Sequence, residues 1–120
     1  METTHSHKDL IVWQKAIDLT VAVYKLTETF PKSELYGFTS QMRRASASIP
    51  ANIAEGRRRP SRKEYAHFLG IAFASGAELE THIEIAKKLK FTGLENYVEV
   101  EKLLDEVMRM LNRMTSNLRT

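Results

Sequence analysis

Apolar side chains recur along this chain at steps of three and four residues, which is the period of an α-helix and not of a β-strand. Asp9 stands where an N-cap is expected, and Pro31 disfavours the α conformation of Phe30 before it. The first helix is therefore predicted to run from about Leu10 to Phe30. It carries two adjoining apolar stripes, one of Leu10, Trp13, Ile17 and Tyr24, and one of Val12, Ala16, Leu19, Val23, Leu26 and Phe30.

A second helix is predicted from Ser33 to about Gly56, with Gly56 as its C-terminal cap. Pro50 lies inside this helix, where it removes the N–H that would bond to the carbonyl of residue 46. We expect the helix to bend near Ser46 and not to end there. Its apolar positions are Leu35, Phe38, Met42, Ala45, Ile49 and Ile53.

Two further helices follow a short basic loop. Ser61 is the expected N-cap of the third helix, and Thr92-Gly93 is expected to break it. Its main apolar stripe consists of Tyr65, Leu69, Ala72, Gly76, Leu79, Ile83 and Ala86. A second set widens the apolar surface beyond one face, with Phe68, Ile71, Phe73, Ile85 and Leu89. The fourth helix alternates steps of three and four through Tyr97, Val100, Leu104, Val107, Leu111, Met114 and Leu118.

Four helices with short connections predict an all-α protein, an antiparallel up-and-down four-helix bundle. At 120 residues the chain has the size of one domain. We assign residues 9–120 to that bundle and residues 1–8 to a disordered tail. The N-terminus does not resemble an export signal, and no apolar run reaches the roughly 18 residues of a membrane helix, so a cytoplasmic protein without membrane contact is expected.

The residues offer no catalytic or metal site. The chain contains no Cys, which excludes disulfides and thiolate chemistry. The His residues show no metal-binding spacing; His67 and His82 are interpreted as solvated or packing residues, and His5 and His7 fall in the predicted tail. No phosphate-binding glycine loop or nucleophile elbow occurs. We therefore expect a protein that is not an enzyme, with no cofactor, no metal and no evident small-molecule substrate.

Positive charge is concentrated in one segment of the chain. Residues 43–63 contain one acidic side chain, Glu55, and seven basic ones, which we call the arginine cluster: Arg43, Arg44, Arg57, Arg58, Arg59, Arg62 and Lys63. In one interpretation these side chains form a solvated loop that aids solubility. In the other they bind phosphates, because guanidinium groups form paired hydrogen bonds with phosphate oxygens. Without a base-reading motif, such binding would be salt-sensitive and weakly sequence-selective.

Polar side chains also form a stripe along the second predicted helix, and we call this set the polar stripe: Gln41, Arg44, Ser48, Asn52 and Glu55. One interpretation is a structural seam in which Arg44 and Asn52 find partners on the third helix, such as Glu78 or His82. The alternative is a surface that faces a pore, another subunit or a ligand. The small side chains of the segment ASASIPANIA predict close helix contact in either case.

Three stretches within residues 9–90 resemble the bacterial 23S rRNA intervening-sequence protein family, a family of four-helix-bundle proteins. They are DLIVWQKAIDL, VYKLTETFPKSELYGFTSQMRRASASIPANIAEG and SRKEYAHFLGIAFASGAELETHIEIAKKL. The most specific part is the run from Gln41 to Gly56, followed by Glu64, Tyr65, Phe68, Leu69 and Glu78. The chain has Ala74-Ser75 where the family commonly has Gly-Ser.

This resemblance implies a ring-shaped homopentamer of four-helix bundles. The chain is also similar to the accessory variability determinant of diversity-generating retroelements, a basic barrel that works with a reverse transcriptase and RNA. The hypothesis is therefore a non-enzymatic oligomeric scaffold that binds RNA or another polyanion through the arginine cluster. The alternative is an adaptor ring that binds proteins without touching nucleic acid, and it predicts an exposed apolar patch.

Overall fold

The structure, a computed structural model, describes residues 6–119. Within that range it contains no strand and four α-helices: α1 (Ile11–Thr27), α2 (Ser40–Arg57), α3 (Arg62–Lys88) and α4 (Val98–Arg119). Helix α2 packs on α1 and α3, and α4 packs on α3 and α1, which closes a four-helix bundle about 51 Å long and 24 Å across. The predicted all-α class and the four helices are confirmed.

Side-chain contacts fix the directions of the helices. Arg62 at the start of α3 bonds to Asn117 near the end of α4, whereas Lys87 at the end of α3 pairs with Glu101 near the start of α4. Lys15 of α1 pairs with Glu106 of α4. Consecutive helices therefore run antiparallel. The loop between α2 and α3 lies at the same end of the bundle as the N-terminus of α1 and the C-terminus of α4.

The core follows the predicted stripes closely in α3 and α4. Leu69, Leu79, Val107 and Leu111 are fully buried, as the spacing predicts. In α1 only one of the two stripes enters the core, the one that contains Leu19 and its companions. The other lies at the surface of the bundle, where Leu10, Trp13 and Ile17 are half-buried and Tyr24 is exposed.

The ends of α1 differ from the prediction. The N-cap residue of α1 is Leu10, which offers no side-chain cap, so the predicted role of Asp9 is wrong. Asp9 instead belongs to a 3-10 turn, His7–Asp9, that Ser6 caps. Three residues of the predicted tail are thus part of an ordered turn or its cap, and residues 1–5 of that tail lie outside the described range. At its other end α1 stops at Thr27, before Phe30.

The entry into α2 is irregular. A 3-10 turn (Lys32–Glu34) and a π-helical turn (Leu35–Thr39) precede the regular helix, which begins at Ser40 and not near Ser33. The apolar spacing persists through these turns because they keep the chain coiled in the same sense, so sequence periodicity alone does not separate them from an α-helix. Helix α2 then continues through Pro50 to Arg57.

Gly56 is not the cap that the sequence suggests. It lies inside α2, it is buried, and no glycine among the described residues has a positive φ. A Cβ atom at this position would lie 2.9 Å from the Cβ of Phe68 and 3.2 Å from the carbonyl oxygen of Tyr65. Gly56 is therefore required for the close approach of α2 and α3.

Helix α3 begins as predicted and ends differently. The Ser61 hydroxyl accepts a hydrogen bond from the backbone N–H of Glu64 at 3.1 Å, so the predicted N-cap is confirmed. The helix ends where Lys90 adopts the left-handed conformation (φ 57°), and the Phe91 N–H bonds back to the Ala86 carbonyl. The predicted break at Thr92-Gly93 comes after this cap. No helix in the described range has both the length and the hydropathy needed to cross a bilayer.

Candidate nucleic-acid interface

The fold divides the arginine cluster between two regions. Arg43 and Arg44 lie in the first turn of α2, whereas the other five members surround the loop between α2 and α3. Arg44 and Arg58 are separated by about 21 Å along the helix, at 1.5 Å per residue. The seven residues therefore do not form one patch. We call the end of the bundle that carries Arg57, Arg58, Arg59, Arg62 and Lys63 the basic end.

The two arginines in the first turn of α2 are engaged within the bundle. The Nε of Arg43 donates to the Thr27 hydroxyl at 2.9 Å, and its guanidinium lies 4.5 Å from the ring centroid of Tyr24. Arg43 thus joins α2 to the end of α1. Arg44 donates to the hydroxyl of Ser40 at 2.8 Å but remains exposed.

Two arginines at the basic end also have partners. Arg59 pairs with Glu55 one turn earlier, and its guanidinium lies 4.8 Å from the ring centroid of Phe68. Arg62 donates to the backbone carbonyl of Asn117 at 3.0 Å, which ties the loop to the last turns of α4. Both side chains stabilise the junction of helices, and part of their capacity to donate hydrogen bonds is already used.

Arg57, Arg58 and Lys63 have no ion-pair partner among residues 6–119. Arg58 and Lys63 are exposed at the turn, whereas Arg57 is half-buried and its Nε has no hydrogen-bond partner. Arg57 lies near Tyr65: burial raises the pKa of the Tyr65 phenol, and the positive charge of Arg57 opposes part of that rise. At the basic end, these three side chains make neither an ion pair nor a side-chain hydrogen bond within the described range.

Two basic residues outside the arginine cluster reach the same end. Lys8 is exposed in the turn that packs on α2, and Arg113 lines a groove with residues 9–12, at the entry to α1. Sequence reasoning missed both, because Lys8 falls in the predicted tail and Arg113 is a single cation on an amphipathic helix. That Lys8 and Arg113 belong to the basic end becomes visible only in the fold, where antiparallel packing places the start of α1, the α2–α3 loop and the end of α4 together.

The polar stripe lies beside α3 along a shallow groove of about 340 Å³ lined by Gln41, Arg44, Ala45, Ser48, Ser75 and Glu78. The expected bonds from Arg44 and Asn52 to α3 are not present. Asn52 donates to the Ser48 carbonyl at 2.8 Å within α2. The hydrogen bond that crosses to α3 joins the Ser48 and Ser75 hydroxyls at 2.9 Å. The helices approach so closely that short hydroxyls meet, while the long side chains lie along the surface.

The histidines of α3 take packing and surface positions. His82 is buried at 8 % exposure, packs edge-on against Phe38, and has its Nε2 3.8 Å from a carboxylate oxygen of Glu78. His67 is exposed. Within the described part of the chain, no three His, Asp or Glu side chains converge as metal ligands would.

Comparison with known proteins identifies the family of the chain. No curated protein matches it significantly. Its fold is similar to the crystal structure of a protein of unknown function from the S23 ribosomal protein family of Bacteroides thetaiotaomicron, with a TM-score of 0.79 and 23% identity over 92% of this chain and 100% of that one. The model of the 23S rRNA-intervening sequence proteins matches residues 8–113. The chain therefore belongs to the 23S rRNA-intervening sequence protein family.

Proposed function

We propose that this protein is a non-enzymatic, cytoplasmic scaffold that binds RNA or another polyanion at the basic end of the bundle. The observation that carries the proposal is a set of three basic side chains that make neither an ion pair nor a side-chain hydrogen bond within residues 6–119, namely Arg57, Arg58 and Lys63. A phosphate that binds such side chains gains charge-assisted hydrogen bonds, and its condensed counterions are released.

The surroundings of these side chains favour anion binding further. The loop leads into the N-terminus of α3, where the helix dipole is positive. Lys8 and Arg113 add positive charge from two other chain segments at the same end. RNA is the first ligand to test, because its backbone presents closely spaced phosphates whose counterions are released when basic side chains bind.

The proposed mode of binding is backbone-directed. Aromatic residues near the loop are engaged in packing: Tyr65 contributes to the contact with Gly56, and the ring of Phe68 lies under Arg59. They leave no platform on which bases could stack. Affinity then depends on phosphate contacts, and base sequence has little influence.

Self-assembly is the second part of the proposal. Helix α3 and its C-cap residue expose large apolar side chains, namely Ile71, Phe73, Ile85 and Leu89. Exposed apolar surface of this kind marks protein contacts. The family resemblance supports a ring-shaped homopentamer. In such a ring several basic ends would engage one RNA, so weak single contacts would combine into tight binding.

The test measures binding of two structured RNA hairpins of unrelated sequence between 50 and 200 mM salt. Replacing Arg57, Arg58 and Lys63 together with Ala is expected to weaken both alike and to reduce the slope of log affinity against log salt by roughly 2–3 units. The matched control removes three exposed lysines away from the basic end, Lys25, Lys32 and Lys88. Unchanged affinity and slope in the first variant, with helicity and assembly intact, would contradict RNA binding at this end.

A specific observation favours the adaptor as a second candidate function. The opposite end of the bundle exposes large apolar side chains, with Tyr36 94 %, Leu94 67 % and Val98 64 % exposed. Exposed apolar groups close together mark protein-binding surfaces. If the hairpins do not bind the wild-type protein in low salt, this end becomes the better candidate for function.

A further inference from the structure

A groove of about 450 Å³ runs between α1 and α2 on the outside of the bundle, and its walls are almost entirely apolar. We call it the α1–α2 groove; it is lined by His7, Trp13, Ile17, Thr20, Val21, Ala47, Pro50, Ala51 and Ala54. Large side chains form the α1 wall, where Val21 is 49 % exposed. Alanines form the α2 wall and leave room for a neighbouring backbone to approach.

A second uncharged surface lies on α3. The segment from Gly70 to Ala77 contains no charged residue on any side of the helix, although Ala74 and Ala77 are exposed and Ile71 and Phe73 are partly so. Helix α4, in contrast, directs Glu99, Lys102 and Asp105 to solvent, as a surface helix should. We call the outer surface of residues 70–77 the α3 face.

Gly70 distinguishes this surface from the interior of the bundle. A Cβ atom at Gly70 would meet no atom of the chain within 4 Å, whereas Cβ atoms at Gly56 and Gly76 would collide with neighbours. Packing within one copy therefore does not require a glycine there, in the middle of a helix where glycine is unfavourable. A second copy that approaches the helix closely would require it.

The two surfaces lie at the same height along the bundle, and a residue of opposite charge lies beside each. The bond between the Ser48 and Ser75 hydroxyls sets the register of α2 and α3, so Ala47 and Ala51 stand at the height of the α3 face. One turn from Ala47, exposed Arg44 stands at the height of exposed Glu80. In a cyclic assembly whose axis follows the bundle, surfaces at equal height meet, and this arginine then faces this carboxylate.

We propose that the α3 face of one copy packs against the α1–α2 groove of a second copy, with Arg44 of one beside Glu80 of the other. This inference rests on the proposed self-assembly and names the two surfaces that form it. Because the surfaces differ, the contact is heterologous: each copy offers one groove and one face. A contact of this type closes into a ring or continues as a filament, and it does not stop at a symmetric dimer.

The test uses two single variants of the full chain, each of which places one positive charge in one of the two surfaces. Ala51→Arg blocks the groove and Ala74→Arg blocks the α3 face; both positions are exposed, so each variant should keep its helicity. Each variant alone is expected to sediment as a monomer of 13.8 kDa. An equimolar mixture is expected to form a one-to-one dimer, because one intact groove and one intact face remain.

Asn112→Arg, an exposed position on α4, is the matched control and should keep the size of the wild-type assembly. The pairing of these two surfaces would be overturned if the folded Ala51→Arg and Ala74→Arg variants kept the size of the wild-type assembly, or if their mixture stayed monomeric. Neither result would contradict self-assembly through other surfaces. A monomeric wild-type protein would overturn both. The RNA experiment is read separately, since Arg57, Arg58 and Lys63 lie outside both surfaces.

Discussion

The hydroxyl of Thr20 on α1 lies 3.0 Å from the backbone carbonyl oxygen of Ser46 on α2 and donates a hydrogen bond to it, which it shares with the Ala16 carbonyl of its own helix at 3.1 Å. Pro50 lacks the N–H that would otherwise bond to this carbonyl, so the regular intrahelical donor four residues on is missing. The neighbouring helix supplies a donor in its place. This relationship accounts for the continuation of α2 through a proline that would be costly elsewhere.

Replacing Thr20 with Val is expected to lower the free energy of unfolding by about 1–3 kcal/mol, because the Ser46 carbonyl is left without a partner in a partly buried place. Urea unfolding followed by circular dichroism measures the loss. Thr81→Val is the matched control: the Thr81 hydroxyl bonds only to the Ala77 carbonyl of its own helix and is exposed. It should change stability by less than about 0.5 kcal/mol.

A Pro50→Ala background shows how much of the Thr20→Val effect comes from the hydrogen bond between the Thr20 hydroxyl and the Ser46 carbonyl. With an N–H at position 50, the Ser46 carbonyl regains a partner within the helix, so Thr20→Val should cost less in that background. The double-mutant cycle is expected to show a coupling of about 1–2 kcal/mol. A coupling near zero would mean that the Thr20 hydroxyl does not compensate for the proline.

Gly56→Ala is expected to destabilise the bundle by about 1–3 kcal/mol, because the new methyl group would press on the Cβ of Phe68 and on the backbone of Tyr65, which cannot move away without shifting α3. Gly76→Ala is the comparison. There the obstacle is the end of the flexible Met108 side chain, which can change rotamer. Thermal unfolding should place the Gly56 variant below the Gly76 variant; the reverse order would contradict the assignment of Gly56 to rigid helix contact.

Stability should fall above pH 10, and Tyr97 should account for part of the fall. Burial, with the nearby Glu101 charge adding to it, raises the pKa of the Tyr97 phenol above its ordinary value of 10.0. The folded state therefore holds this proton more tightly than the unfolded state. The resulting stability is complete below pH 10 and is lost as the pH rises through the folded-state pKa. The hydrogen bond that Lys87 donates to the Glu101 carboxylate raises the pKa of Lys87 as well, and the stability it contributes is likewise lost as the pH rises above about 10.5.

Tyr97→Phe tests whether ionisation of this phenol causes the loss of stability above pH 10. The Tyr97 hydroxyl is buried and has no hydrogen-bond partner among residues 6–119, so its removal should leave stability at pH 7 unchanged or raise it by about 1 kcal/mol. The same variant should show a shallower loss of stability between pH 9 and pH 11. Tyr36→Phe, at a position that is 94 % exposed, should follow the wild-type profile. A steep loss that persists unchanged in Tyr97→Phe would exclude this phenol as its source.

The arginines of the basic end should contribute unequally to RNA binding. Arg58 has no ion-pair partner in the described structure, whereas Arg59 is already paired with Glu55. Arg58→Ala is therefore expected to reduce the salt slope by roughly 0.7–0.9, the value of one phosphate contact. Arg59→Ala should reduce it less, and it should lower stability slightly through its lost contact with Phe68. Filter binding in a salt series compares the two variants. Equal slopes of log affinity against log salt would mean that the ion pair with Glu55 does not prevent Arg59 from contacting phosphate.

The sequence by itself determined the helices, most of the core positions and the N-cap at Ser61, because each depends on local chemistry. Side chains three or four residues apart share a face of a helix whatever the rest of the chain does, and a serine hydroxyl caps the N–H groups that directly follow it. The same locality made the concentration of positive charge visible as a run of arginines.

Only the tertiary structure decided which of those local features act together. Two stripes of α1 are equally apolar in sequence, and packing against α2 and α4 selected the one that contains Leu19. The arginine cluster falls within one short segment of the sequence, residues 43–63, yet the length of α2 separates Arg44 from Arg58. Antiparallel packing, in turn, brings Lys8 and Arg113 to the end that carries the loop. Such relationships depend on distances through space between residues far apart in the chain, and no local pattern records them.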